Sequence, residues 1–212
     1  MPRPTPTLDT RASLLEAALA CFAEYGYNAT SLRLIATRAG KNTSLIAYHF
    51  RSKEGLYREV IALVLGEVLP SCAEAHPIAP QPEDGRAWLR ALIRRTLMDV
   101  EAHLRSADPR KDAAARLMLS EFQFPREEVK DLLQSRAEAG VRDMRACLRC
   151  LRPDLSDADI DFWGVVAQGI SLSHALHGEF NRLIWTQLDP SLTLELMADR
   201  LTAFILDGLL KA

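Results

Sequence analysis

Residues 26–57 read GYNATSLRLIATRAGKNTSLIAYHFRSKEGLY, and this stretch decides the fold of the first part of the chain. Its apolar residues recur at helical spacing, which predicts one short helix over residues 31–39 and another over residues 43–50. Gly40 separates the two because glycine readily takes the left-handed conformation that ends a helix. Two short helices around such a turn are typical of a helix-turn-helix.

Side chains at the helix starts support these boundaries. Thr30 or Ser31 can cap the first helix and Asn42 the second, since each offers an oxygen to a backbone N–H that lacks a partner. Ile46 and Phe50 lie one helical turn apart, so we expect both on the buried side of the second helix.

The flanking segments are predicted to be helical for the same reasons. Upstream, apolar residues repeat at intervals of three and four up to Phe22, and Gly26 suits the end of that helix. Downstream, Ser52 can cap a helix over residues 53–69. Residues 70–82 contain four prolines and are expected to form a loop. Further helices are predicted at about 84–105, 112–122, 126–151, 157–184 and 191–210, which gives an all-α protein.

Composition is compatible with a nucleic-acid partner for one end of the chain. The 212 residues include 26 basic and 28 acidic side chains, a formal net charge of -2. Residues 1–60 have a net charge of +3 and the remaining residues have a net charge of -5. The basic N-terminal part therefore suits contact with phosphate. Because no apolar run reaches about 18 residues and no secretory leader is evident, we expect a cytoplasmic protein with reduced thiols and no membrane partner.

The predicted second helix of the motif begins with small and polar side chains, the types that read base edges in the major groove. Hydroxyl, imidazole and ammonium groups flank it and can bind phosphates. The candidate DNA-binding residues are therefore Ser31, Lys41, Asn42, Thr43, Ser44, Ala47, Tyr48, His49 and Lys53. Ala47 offers only a methyl group, which can contact a thymine methyl or no base at all.

Residues 22–57 resemble the N-terminal DNA-binding domain of the TetR/AcrR family of transcriptional regulators. The resemblance rests on Phe22 and Gly26, on the Thr30-Ser31 pair, on residues 35–40 around the turn, and on the runs YHF at 48–50 and SKEGLY at 52–57. Many family members carry a tyrosine where this chain has Ala47, with Tyr48 next. Residues 115–125 and 167–169 are similar to the C-terminal domain associated with CecR-like regulators.

The resemblance implies a three-helix helix-turn-helix domain at residues 1–55, a connecting helix and loop at 56–82, and a larger helical domain at 83–212. That last domain would bind a small-molecule effector and form a homodimer. The protein would then be a repressor that an effector releases from a palindromic double-stranded DNA operator. Dimerisation is also favoured because a single short recognition helix needs a second copy roughly 34–36 Å away along the DNA.

Candidate effector-binding residues combine apolar walls with a few polar groups, as small-molecule sites do. They are Trp88, Leu117, Met118, Glu121, Phe122, Phe124, Trp163, Gln168 and His174. Core packing explains the same residues equally well. For the dimer contact, the candidates are the small residues of the helix around Gly164 and Gly169 and the apolar stripe of the last helix, which includes Phe204 and Ile205.

Two alternatives involve a chemical sensor. Cys147 and Cys150 lie at i and i+3, so they share a helix face and could form a thiol switch, with neighbouring arginines favouring the thiolate. His174, His177 and Glu179 could likewise serve a metal-responsive regulator. Ordinary helical side chains are the simpler interpretation of both sets. No GxSxG, HExxH, P-loop or dinucleotide motif occurs, so we expect no enzyme activity, no cofactor and no metal site.

Overall fold

The computed structural model describes residues 8–68, 77–104, 106–176, 183 and 193–211, and the regular secondary structure in these ranges is helical. The helices are α1 Leu8–Ala29, α2 Leu32–Arg38, α3 Thr43–Phe50, α4 Lys53–Leu63, α5 Gly85–Leu104, α6 Pro109–Gln123, α7 Lys130–Leu151, α8 Asp157–Leu176 and α9 Leu194–Leu209. A π-helical turn, Val64–Val68, follows α4. The all-α prediction is confirmed. None of the helices in the described ranges is both long and apolar enough to cross a bilayer.

The first long helix is interrupted at the glycine where the sequence predicts its end, and it continues to Ala29. Gly26 has φ 75° and ψ 168°, which interrupts α1 between Tyr25 and a final turn. Thr30 is buried just beyond this break, and its hydroxyl donates to the carbonyl oxygens of Gly26 at 2.7 Å and Cys21 at 3.1 Å. The Thr30 side chain thus bonds the segment after α1 to that helix. Ser31, and not Thr30, is the N-cap of α2.

The chain divides into two compact units. The first comprises Met1–Pro70 and Ser106–Arg136, and in it α1 packs against α2, α4 and α6. Its core includes Leu14, Leu19, Phe22, Ile35, Ile46, Leu56, Tyr57 and Val60, all of them buried. At roughly 25 cal/mol for each Å² of apolar surface removed from water, this burial is the main driving force for the fold of the unit.

The second unit comprises Ser71–Arg105 and Ala137–Ala212. Within it α5 packs against both α8 and α9, and these two helices also pack against each other. Its buried side chains include Trp88, Leu89, Leu92, Ile93, Leu97, Cys147, Ala167, Ala198 and Ile205.

The units follow packing rather than the three segments predicted from sequence. Helix α4 belongs to the first unit, although it was assigned to the connection at 56–82. Helix α6 also belongs to the first unit, although it falls in the segment 83–212. The reason is long-range burial, since Leu117 and Met118 of α6 join the core built around α1. The division by function at residues 55 and 82 stays a prediction.

Candidate nucleic-acid interface

The turn between α2 and α3 is held by backbone hydrogen bonds that the sequence makes possible. Gly40 has φ 62°, and its N–H donates to the carbonyl of Thr37 at 3.1 Å. The N–H of Lys41 reaches back to the carbonyl of Ala36 at 2.9 Å. These two bonds form a Schellman motif, which satisfies the carbonyls at the end of α2 and fixes the direction in which α3 begins.

Each helix of the motif starts with a side-chain cap. The hydroxyl of Ser31 accepts from the N–H of Leu34 at 3.1 Å, and the amide oxygen of Asn42 accepts from the N–H of Ser44 at 2.9 Å. The caps predicted for α2 and α3 are therefore present. Such a cap stabilises a helix by about 1 kcal/mol relative to alanine, so Asn42 has a structural role beside any contact with DNA.

Helix α3 turns one apolar side inward and one polar side outward. Ile46 and Phe50 are buried as predicted, whereas Thr43, Ser44 and Ala47 are exposed. Tyr48 is 81% exposed, and its ring contacts that of His49 edge to face at 4.9 Å between centroids. An aromatic residue this exposed contributes little to the core, so its ring and hydroxyl are available to a partner.

The corner from α3 to α4 depends on an unusual backbone conformation at Arg51 and on the absence of a side chain at Gly55. Arg51 takes a positive φ of 66°, uncommon for a residue other than glycine, and its N–H donates to the carbonyl of Ala47 at 3.1 Å. Ser52 then caps α4 by accepting from the N–H of Gly55 at 3.1 Å. A Cβ at position 55 would overlap the carbonyl oxygen of Phe50. The run SKEG therefore lets α4 start directly against the end of α3.

Lys53 is held beside an aromatic ring at this corner. Its Nζ lies 4.3 Å from the ring centroid of Tyr27, and the guanidinium of Arg126 lies 4.0 Å from the same centroid. Partial burial and then the charge of Arg126 lower the pKa of Lys53 from its ordinary value. The hydroxyl of Tyr27 donates to Glu54 at 3.1 Å. These contacts restrict where the ammonium of Lys53 can lie.

Arg126 and Arg51 are two residues near this corner that the sequence analysis did not select. Arg126 also donates to the side-chain oxygen of Asn28 at 3.3 Å. It follows Lys53 by more than seventy residues, so no local pattern connects them. Arg51 is exposed. In the sequence, only its position between two helices with predicted caps indicates that it could contact DNA.

Three positive charges in and next to the motif have no ion-pair partner among the described residues. Within residues 8–68, Arg38 pairs with Glu24 and Arg11 pairs with Glu59, each at 2.7 Å. Over the part of the chain that the structure describes, no ion pair is formed by Arg33, Lys41 or Arg51. Cations without carboxylate partners can attract phosphate at no cost in broken ion pairs.

Comparison with known proteins agrees with this geometry. Residues 14–60 match the family model described as "Bacterial regulatory proteins, tetR family". These residues therefore form a DNA-binding domain of the TetR type. Its sequence is 46% identical to the HTH-type transcriptional dual regulator CecR of Shigella flexneri over 40% of each chain. It is 27% identical to the HTH-type transcriptional repressor KstR2 of Rhodococcus jostii over 97% of each chain.

A solved TetR-family structure shows the same fold over almost the whole length. The transcriptional regulator from Bordetella parapertussis superposes with a TM-score of 0.57 at 21% identity, covering 95% of this chain and 96% of that one. The curated TetR-family relatives are named as regulators. Because the CecR match spans only 40% of that protein, the CecR-like character of the C-terminal part stays a prediction.

The nine residues predicted for an effector pocket are divided between the two units. The first unit contains Leu117, Met118, Glu121, Phe122 and Phe124, and the second contains Trp88, Trp163, Gln168 and His174. Leu117 and Met118 are core residues, whereas Phe122 and Phe124 are 57% and 79% exposed. An effector role for this set remains a prediction.

Glu121 already has protein partners for both carboxylate oxygens. The hydroxyl of Tyr57 donates to Oε1 at 2.6 Å, and the backbone N–H of Arg126 donates to Oε2 at 3.0 Å. The carboxylate is buried, and burial together with Glu121 raises the pKa of Tyr57. These bonds join α4 to the end of α6, so Glu121 stabilises the first unit whatever else it binds.

In the second unit the predicted effector residues have different surroundings. The ring of Trp163 lies against Gly208 and contacts Phe162 edge to face at 5.6 Å between centroids. Gln168 is exposed and Trp88 is buried. The side chain of His174, with His177 and Glu179, lies outside the described residues, so the metal alternative stays an untested prediction.

The surroundings of Cys147 disfavour a thiolate at this position. Cys147 is fully buried, and burial raises the pKa of its thiol to about 12. The prediction that neighbouring arginines favour the thiolate is wrong, because each of them pairs with an aspartate instead. These pairs are Arg145–Asp161, Arg149–Asp157 and Arg152–Asp154. Both thiols lie near backbone carbonyls, Cys147 near Gly85 and Cys150 near Pro82.

Proposed function

We propose that this TetR-family protein is a homodimeric repressor that binds a palindromic DNA operator and leaves it when a small-molecule effector binds. The observation that carries the proposal is the outward side of α3, where Thr43, Ser44, Ala47 and Tyr48 are all exposed while Ile46 and Phe50 anchor the helix in the core. A helix anchored in this way can enter a major groove without unfolding its support.

The roles of the contact residues follow from their positions. Asn42, Thr43 and Ser44 lie at the N-terminal end of α3, the end that meets base edges in helix-turn-helix proteins. Ser31, Lys41, Tyr48, His49 and Lys53 bind phosphates on either side of the groove and so set the register of the protein on DNA. The methyl group of Ala47 selects thymine at most.

Exposed apolar side chains on α8 and α9 support the dimer. Phe162 and Val165 lie on α8 with Gly169 one turn further, and all three are exposed. Phe204 of the adjacent α9 is exposed as well, whereas its neighbour Ile205 is buried in the core. Exposed apolar side chains on neighbouring helices are typical of a protein interface, and the absence of a side chain at Gly169 permits close approach of a partner helix.

Effector release requires a preference between two arrangements of the dimer. DNA binding needs the two α3 helices at a fixed separation, so an effector that favours another separation lowers occupancy. To reverse a 99:1 distribution it must prefer the released arrangement by roughly 10⁴-fold. Helix α4, which starts directly at the end of α3, is the lever in this proposal.

The experiment that tests the proposal is selection of genomic DNA fragments by the purified protein at physiological salt, followed by sequencing. An enriched palindrome is the expected result, and a variant with Thr43→Ala and Ser44→Ala should not retain it. A protein with Lys111→Ala, an exposed position on α6, serves as the matched control. No enrichment by a folded dimer, with and without cell-extract metabolites, would contradict the proposal.

A further inference from the structure

Lys53 and Arg126 share one aromatic ring at the corner where α4 begins. The ammonium nitrogen of Lys53 lies 4.3 Å from the ring centroid of Tyr27, and the guanidinium carbon of Arg126 lies 4.0 Å from it. The two charges are therefore within about 8 Å of each other. At this separation two cations repel each other unless an anion lies close to them.

A carboxylate accompanies each of these cations. Nε of Arg126 is 3.8 Å from Oε1 of Glu121, while Lys53 is followed by Glu54, whose carboxylate accepts from the hydroxyl of Tyr27 at 3.1 Å. The two carboxylates differ in burial, since the side chain of Glu121 is 2% exposed and Glu54 is an exposed residue. A buried carboxylate depends far more on its cation than an exposed one does, so Glu121 needs a positive charge beside it.

The position of Arg126 is fixed by groups other than Lys53. The backbone N–H of Arg126 donates to Oε2 of Glu121 at 3.0 Å, and its Nη2 donates to the side-chain oxygen of Asn28 at 3.3 Å. The guanidinium is thus held between the end of α6 and the final turn of α1, where it lies over the ring of Tyr27. Its rigid planar fork favours one such geometry.

The shared ring is held in place as well. Tyr27 stacks on Phe22 at 5.8 Å between centroids and meets Tyr57 edge to face at 4.8 Å. Both of these neighbours are buried. The ring is therefore a fixed support for the two cations, and the flexible four-carbon side chain of Lys53 is the part that moves when the charges around it change.

Removal of Arg126 would change what attracts Lys53. Glu121 would keep the hydrogen bond from the hydroxyl of Tyr57 but would lose the cation that pairs with it. Lys53 lies on the same ring and would be drawn toward this buried carboxylate, away from solvent and from DNA. The attraction is stronger than that of an exposed carboxylate because water and salt screen a buried charge less.

We propose that Arg126 is a positioning residue for DNA binding, which satisfies Glu121 and so leaves the ammonium of Lys53 on Tyr27, available to a DNA phosphate. Arg126 binds no phosphate itself. It lies more than seventy positions after Lys53 and outside residues 14–60, the segment that matches the family model. The inference rests on the proposed function, because Lys53 needs a phosphate contact only in a protein that binds DNA.

A double-mutant cycle tests this role through operator affinity measured over a range of salt concentrations. Arg126→Gln should weaken binding roughly fivefold at about 0.15 M salt and reduce the slope of log affinity against log salt concentration by about one, the contribution of one phosphate contact. Lys53→Ala should do the same, and the combined variant should lose no more, because both changes remove one contact. Additive losses would show that Arg126 binds phosphate directly and would overturn the proposal.

The matched control is Arg116→Gln, which removes a positive charge from α6. Arg116 is an exposed residue that pairs with Asp112. Its replacement should leave both operator affinity and the salt slope unchanged. If Arg116→Gln weakens binding as much as Arg126→Gln does, the effect is one of overall charge and the role of Arg126 is refuted.

Rescue by a second substitution separates positioning from a purely structural role. Glu121→Gln removes the negative charge, and its amide can still accept from the N–H of residue 126 and donate to the hydroxyl oxygen of Tyr57. Added to Arg126→Gln, it should restore affinity to within about twofold of wild type, since the carboxylate that attracts Lys53 is gone. Failure of rescue in a double variant that circular dichroism shows to be folded would contradict the proposal.

Nuclear magnetic resonance of the lysine side chains tests the positioning without DNA. The methylene protons beside the ammonium of Lys53, assigned by their absence in Lys53→Ala, should show a ring-current shift from Tyr27. Arg126→Gln should change this shift and Arg116→Gln should not. An unchanged Lys53 signal would overturn the inference even in a protein that binds its operator, whereas a changed signal in a protein that recognises no operator supports the positioning and refutes the repressor.

Discussion

Replacement of Gly55 by alanine tests how closely α3 and α4 are joined. In most helical positions this substitution stabilises a protein by about 0.5–1 kcal/mol, since glycine loses more backbone freedom on folding. At position 55 the new Cβ would overlap the carbonyl oxygen of Phe50 and would lie 3.4 Å from its carbonyl carbon. Both atoms belong to the backbone, so no side-chain rotation can relieve the overlap.

The magnitude follows from what must move. Forcing a methyl group into a packed position costs typically 1–3 kcal/mol. The shift also weakens the Ser52 cap, whose hydroxyl accepts from the N–H of Gly55 itself, and a cap contributes about 1 kcal/mol. After the gain in helix propensity, we expect a net loss of about 2 kcal/mol, which lowers Tm by about 4–8 °C in a chain of this length.

The assay is thermal and urea denaturation followed by circular dichroism, with operator affinity measured on the same samples. Gly140→Ala is the matched control, because Gly140 lies within α7 and a Cβ there would contact nothing within 4 Å. We expect Gly140→Ala to raise Tm and to leave affinity unchanged. If Gly55→Ala is as stable as wild type and binds DNA equally well, the close junction of α3 with α4 is refuted.

Three further predictions concern the DNA contacts and the thiols. Lys53→Ala should weaken binding to all DNA sequences alike and reduce the slope of log affinity against log salt concentration by about one. A loss of affinity limited to some operators would contradict the phosphate role of Lys53. Lys111→Ala is the control. Thr43→Ala should change which bases are preferred, as should Asn42→Ser, which keeps a capping oxygen; unchanged preferences in a binding-site selection would remove these residues from the base-reading set. Because its pKa is raised to about 12, Cys147 should resist maleimide at pH 8 until the protein is unfolded, and rapid labelling of the native protein, located by mass spectrometry, would show that the thiol is accessible.

The sequence predicted the helix-turn-helix well because its signals are local. Ser31, Asn42 and Ser52 cap helices within three residues of their own position, and Gly40 completes a turn with backbone groups of residues 36–41. The inward positions of Ile46 and Phe50 follow from helical periodicity. Such features can be predicted from a single sequence because local bond geometry and neighbouring residues determine them.

The effector residues could not be assigned in the same way. Glu121 looked like an orienting polar group, yet its carboxylate is occupied by Tyr57, which lies 64 positions earlier in the chain. Cys147 has three arginines nearby in sequence, yet each arginine turns to an aspartate and the thiol is buried. Spacing along a helix shows which residues share a face but does not show what that face contacts.

The sequence by itself determined the helical class, the helix boundaries around the turn, and the polar side of α3. Only the tertiary structure decided that α6 packs with α1, that the carboxylate of Glu121 is used within the first unit, and that the thiol of Cys147 is buried. The physical reason is range: caps, turns and periodicity act over a few residues, whereas burial and hydrogen-bond partners depend on segments that are distant in sequence and meet only in the folded chain.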